Sequence, residues 1–282
     1  MCPPGHFRTI ARGAGVWWCL SGALVGCGEE PPSELPPRET VRACGADEAP
    51  FRLADGGFQC ARVGPDLVAV SAGEWPDIAG LAEPVVYVRA GSVGGAGTRE
   101  RPYGTLREAL GATPRPASVA VARGELTVRS TETVTADVVI RGAGVRATVL
   151  VGMSSSTLLR VAPPEGMRAL VSITRLGIRF NAPTSGCASA ADAGAGSIAV
   201  EATGAGTRLS LDEVEIVRAG SGLHVDQGAT VCARALTVRG SLGHGVKLLA
   251  EAKGYFRDVL VEGSCLGGIL ADHSHVDATR TA

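Results

Sequence analysis

The 282 residues carry 27 Lys+Arg against 28 Asp+Glu, a formal net charge of −1, which excludes the broad positive field that recruits nucleic acid or anionic lipid. With 39 glycines and 4% aromatic residues, the composition argues against a helical bundle and for many short strands joined by tight turns. A chain of this length holds one large domain or two ordinary ones.

The first residues carry Arg8 and Arg12 and no acid, and residues 14–26 form a charge-free, largely apolar run. That run is too short to span a bilayer and the right length for the core of a secretory signal. It ends in Leu24-Val25-Gly26-Cys27, which resembles the lipobox of bacterial lipoproteins, where cleavage falls before the cysteine and its thiol takes a diacylglycerol. The resemblance implies a signal peptide over residues 1–26, lipidation of Cys27, and a cell-envelope location. With Gly28 rather than Asp in second place, it favours the outer membrane. A plain secretory signal followed by a chance cysteine is the competing reading. Residues 27–43 then form a proline-rich linker, EEPPSELPPRETV at its centre, with almost nothing to bury.

Residues 44–84 are read as a small module bracketed by Cys44 and Cys60. Between the cysteines, Asp55-Gly56-Gly57 is a hairpin turn signal. After export a Cys44–Cys60 disulfide is expected, because two isolated cysteines lack the other ligands of a metal site. The cysteines remaining after Cys27 are 44, 60, 187, 232 and 265, an odd set that leaves one thiol free or paired with another chain. Cys232 and Cys265 occupy different offsets in the repeat described below, so no bridge between them is expected.

From residue 85 the pattern changes. Val85-Val86-Tyr87-Val88 reads as a strand, residues 91–97 as a glycine loop, and Thr105-Leu106-Arg107-Glu108 as a capping box opening a short helix. Farther on, Gly222, Gly245 and Gly268 recur at a fixed spacing of about 23 residues and open GLHV, GVKL and GILA. VEIVRAGS, ALTVRGS and DVLVEGS recur between them. Alternation points three series inward: Leu223/Val225, Val246/Leu248 and Ile269/Ala271; Val214/Ile216, Leu236/Val238 and Val259/Val261; and a less regular Leu209/Leu211, Val231/Ala233 and Phe256. Three short strands per repeat fit a triangular coil.

The run YVRAGSVGGAGTRERPYGTLREAL, followed by VAVARGEL and VVIRGAG, resembles the opening of right-handed parallel β-helix proteins of the pectin-lyase-like superfamily. That resemblance implies an all-β solenoid over residues 85–282, about 23 residues per rung, with residues 85–110 as the lid on its N-terminal end. It implies little about activity, because the same fold hosts lyases, hydrolases, epimerases and non-catalytic surface proteins. The small, polar segment from Asn181 to Ser197 interrupts the period and is expected to be a loose insertion, in preference to the wall of a cleft on one face of the solenoid. The chain stops in mid-rung, which suggests a fragment of a longer protein or an open end that pairs with another molecule.

Ile140-Arg-Gly142-Ala-Gly144-Val-Arg-Ala147 matches a dinucleotide fingerprint, but the β-like Thr148-Val149-Leu150-Val151 follows where a helix is required. The weak catalytic candidates are the outward residues His224, Asp226, Lys247 and Asp272. His224 and Lys247 share one stacked column. Asp226 and Asp272 share another, with Leu249 between them, about 9–10 Å apart at the usual strand spacing. A Ca²⁺ ion with 2.3–2.6 Å bonds is not gripped across such a gap, so Ca²⁺ enters only under a lyase reading. His273 and His275 read as exposed. The chain holds no Asp-Asp pair, and beyond residue 110 its aromatics are Phe180, Tyr255 and Phe256, a thin supply for stacking sugars. The expectation is therefore a non-catalytic, envelope-anchored lipoprotein with no cofactor. It would act as a structural or interaction module for a polysaccharide or protein, not for nucleic acid. A polysaccharide lyase or glycoside hydrolase of the same fold is the alternative.

Overall fold

The structure, a computed structural model, describes residues 48–52, 58–62, 73–152, 157–181, 187 and 196–281, the first two runs as backbone only. The expected signal peptide, Cys27, the proline-rich linker and Cys44 lie outside the described residues. Strands β1 (Glu48–Arg52) and β2 (Phe58–Arg62) pair antiparallel, Arg52 opposite Phe58, as the Asp-Gly-Gly signal predicts.

All the remaining pairings among the described residues are parallel. In chain order the elements are β3 (Val85–Val88), α1 (Leu106–Leu110), β4 (Ser118–Val121), β5 (Gly124–Val128), β6 (Glu132–Val134), β7 (Val138–Gly142), β8 (Thr148–Gly152) and β9 (Leu159–Val161). They continue as β10 (Ala169–Phe180), β11 (Ile198–Thr203), β12 (Thr207–Val217), β13 (Ser221–Asp226), β14 (Thr230–Arg239), β15 (His244–Leu248), β16 (Lys253–Glu262), β17 (Gly267–Ala271) and β18 (His275–Thr281). One sheet runs β18-β16-β14-β12-β10-β7-β4-β3, with β8 and then β5 continuing it beside the second half of β10. The other runs β17-β15-β13-β11-β9-β6. The result is an all-β, solenoid-like stack with a single short helix among the described residues. No described helix is long and apolar enough to cross a membrane.

Like residues sit above like. Val200, Leu223 and Val246 follow one another across the second sheet, and Val214, Leu236 and Val259 across the first. All are fully buried, together with Leu209, Leu211, Val231 and Phe256, so the inward series expected from alternation form the core. The last repeat departs from this: Ile269 and Ala271 stay exposed in β17, which pairs with β15 alone, and Val261 is half-buried.

The sequence pattern suggests three separate short strands per repeat, but the structure joins two of them into one long strand with a bend. Each long strand turns over a single residue in the left-handed region: Arg175 in β10, Glu213 in β12, Ala235 in β14, Asp258 in β16 and Arg280 in β18, with φ between 50° and 56°. One left-handed residue redirects the strand while leaving the pairing on both sides intact. Leu211 and Val214, three positions apart, therefore both point inward.

The N-terminal end is closed as the lid reading predicts. In α1 the Thr105 side chain accepts from the Glu108 N–H at 3.2 Å, and the Glu108 carboxylate accepts from the Thr105 N–H at 3.0 Å. Leu106 and Ala109 drop into the core. The glycine loop folds back along β3, the Tyr87 N–H donating to the Gly97 carbonyl and the Tyr103 N–H to the Tyr87 carbonyl, each at 2.9 Å. These bonds occupy an edge that would otherwise be open for pairing. A Cβ on Gly97 would lie 2.5 Å from the Tyr103 ring, which explains the glycine there.

One contact leaves no signal in the sequence. Residues 74–82 lie against the outside of the first repeats: Trp75 meets Tyr87 edge to face at 5.1 Å, the Arg123 N–H donates to the Glu74 carbonyl, and Arg141 donates to the carbonyls of Asp77 and Ala79.

Candidate functional site

The second sheet aligns one outward column, Arg160, Glu201, His224 and Lys247, each opposite the next. His224 and Lys247 are thus neighbours, as expected. Arg160 and Glu201 are additions. Glu201 was findable, because it stands 23 positions before His224, the spacing that separates His224 from Lys247. Arg160 lies beyond the insertion, where that count fails. The Glu201 carboxylate accepts from Arg160 Nε at 2.7 Å and from the Thr157 hydroxyl at 3.1 Å.

His224 is half-buried, and its Nε2 makes no hydrogen bond. Burial holds its pKa below the usual 6.5, Lys247 lowers it further, and Glu201 and Asp226 act the other way. The ring is therefore neutral at pH 7, a form able to accept a proton.

Asp226 and Asp272 are not brought together. Leu249 donates to the Val225 carbonyl and Asp272 to the Leu248 carbonyl, so a whole repeat separates the two carboxylates. Asp226 Oδ1 accepts from the Gln227 N–H at 2.7 Å, and Asp272 Oδ1 lies 2.8 Å from His273 Nδ1. Each carboxylate is committed locally, and among the described residues no three His, Cys, Asp or Glu side chains converge as metal ligands.

Several other outward charges pair across repeats. Arg234 forms a two-point contact with Asp212 at 2.7 and 2.6 Å, Arg239 meets Glu262 at 2.7 Å, Arg280 meets Asp258 and Arg175 meets Glu213. Arg141-Gly142-Ala143-Gly144 leads into strand β8, not a helix. The buried Thr148 hydroxyl accepts from the Ala143 N–H at 2.9 Å, so these glycines serve a corner of the stack.

The cysteines carry further information. Cys187, in the insertion that was expected to be loose, is bonded to Cys265, just beyond β16. Cys265 is thus not joined to Cys232, and Cys232 is itself in a disulfide.

Comparison with known proteins finds no matching family model, no matching curated protein and no matching solved structure.

Proposed function

We propose that this chain is a non-catalytic, lipid-anchored envelope protein whose right-handed parallel β-helix of the pectin-lyase-like kind, about 23 residues per rung, serves as a structural or interaction module. The observation that carries the reading is the use made of the outward charges: Arg160–Glu201, Arg175–Glu213, Arg234–Asp212, Arg239–Glu262 and Arg280–Asp258 tie one repeat to the next. Charges spent on holding a stack together are not arrayed around a scissile bond. The disulfides at Cys187, Cys265 and Cys232 support an oxidising compartment, and with it the export signal and the lipid on Cys27 that would hold the protein at the outer membrane. The partner is a polysaccharide or protein of the envelope, not a nucleic acid.

The neutral, half-buried His224 beside Lys247 favours a second reading, a polysaccharide lyase, with Ca²⁺ as its cofactor, or a glycoside hydrolase of the same fold. A degradation screen of residues 28–282 on acidic and neutral glycans, with and without Ca²⁺, separates the two. The structural reading expects no products. Products that disappear in His224→Ala or Asp226→Ala would overturn it.

A further inference from the structure

We propose that the outward face of β12, β14 and β16 is the docking surface for residues 44–62, the first part of the Cys-bracketed module, fastened there by a disulfide between Cys232 and either Cys44 or Cys60. Cys232 stands in β14 opposite Ser210 on one side and Tyr255 on the other. Its neighbours Val231 and Ala233 are buried in the core, so its own side chain points out of the stack. Ser210, Cys232 and Tyr255 are nevertheless all half-buried. The chain has eight cysteines, at positions 2, 19, 27, 44, 60, 187, 232 and 265. Because Cys187 and Cys265 are bonded to each other, the cysteines of this chain left to pair with Cys232 are the five that precede residue 73. Assigning it to Cys44 or Cys60 rests on the proposed export signal and lipid anchor, which account for Cys2, Cys19 and Cys27.

The course of the chain agrees. Residues 74–82 already run along this same side of the stack, over the outward column Tyr87, Ala120 and Arg141, and Ala120 there has no exposed surface. That column continues through Thr174 and Asp212 to Arg234, two positions along β14 from Cys232. From β7 to β14 the path crosses three strand spacings, about 14–15 Å. The stretch between Cys60 and Gly73 can extend to about 43 Å, so the β1–β2 hairpin reaches Cys232 easily. The bond forms by exchange: one cysteine thiolate attacks an external disulfide, the second attacks the resulting mixed disulfide, and two external thiols leave carrying the electrons and protons.

The full chain, expressed with export, is digested without reduction and its linked peptides are identified by mass. A Cys232 peptide joined to one containing Cys44 or Cys60, and lost on reduction, is expected. In Cys232→Ser, residues 44–72 should become readily cleaved by protease while residues 73–282 stay resistant. Cys232 found as a free thiol, a Cys44–Cys60 linkage, or Cys232 joined to Cys2, Cys19 or Cys27 would each overturn the proposal. The lipid on Cys27 is measured separately by mass. Its absence from a chain that keeps the Cys232 linkage would sink the anchor and leave the docking surface standing.

Discussion

Gly245 shows what a single position contributes to this stack. A Cβ there would lie 2.1 Å from Val261 Cγ1 and 3.0 Å from the Gly268 carbonyl oxygen, and one on Gly222 would lie 2.5 Å from the Gly245 carbonyl oxygen. The recurring glycine therefore answers to close approach of neighbouring repeats, not to a left-handed backbone. At Gly268, by contrast, the nearest atom to a Cβ is 3.8 Å away. Gly245→Ala is expected to lower stability by about 1–3 kcal/mol through overpacking and Gly268→Ala by much less, a contrast that urea melts of the two variants would resolve. His224 contributes a pH response near neutrality. Its native pKa lies below 6.5, so the unfolded chain takes up the proton first, and stability present at pH 7 drains away as pH falls through about 6.5. Denaturation midpoints at about pH 7.5 and pH 5.5 should differ in the wild type, and the difference should shrink in His224→Gln. An unchanged difference would place the sensitive group elsewhere. The column holding His224 was half legible in the sequence: the period leads from Lys247 to His224 and back to Glu201, but the insertion breaks the count before Arg160.

At the scale of elements, the long strands bend where the sequence gives no sign. Turn residues advertise themselves when they are Gly or Asn, and here the left-handed positions are Arg175, Glu213, Ala235, Asp258 and Arg280. Reading each bent strand as two short ones follows naturally, since core residues spaced three apart break the alternation at each bend. The cap of α1 was legible for the opposite reason: a Thr and a Glu three residues apart satisfy each other's backbone locally, with no help from distant chain. At the bend, Ala235 is the one corner residue without a polar side chain. Ala235→Asn is expected to raise stability by about 0.5–1 kcal/mol, because Asn tolerates the left-handed region better, and Ala235→Val to lower it. Thermal melts of the pair check the order, and an equal loss in both would show that the space at the corner, not its backbone, is limiting. Helix α1 is tied down as well as capped: Arg107 donates to the Glu132 carboxylate at 3.2 Å, linking the lid to β6. Burial pushes the Glu132 pKa up, and Arg107 pulls it back.

Across the whole molecule, a stack of repeats owes its stability to contacts between neighbours, so such stacks can lose repeats one at a time from an end. The Cys187–Cys265 bond connects residues 78 apart in the chain and spans every strand from β11 to β16. Closing so long a loop restricts the unfolded chain, by roughly 4–5 kcal/mol on the chain-entropy model. Its more specific effect is on order. The segment carrying Cys265 stays tethered to Cys187, which precedes those three repeats in the chain. In Cys187→Ser/Cys265→Ser, hydrogen exchange should quicken first in β17, β16 and β15, in that sequence, whereas in the intact protein β11 to β16 should open together. Uniform quickening would mean that the bond adds stability without coupling the repeats. Unzipping a row of teeth requires only that each release its neighbour, and this bond acts as a stitch sewn across the row. The expected consequence is a middle of the solenoid that opens as a single all-or-none unit, in a fold whose energetics otherwise favour gradual loss.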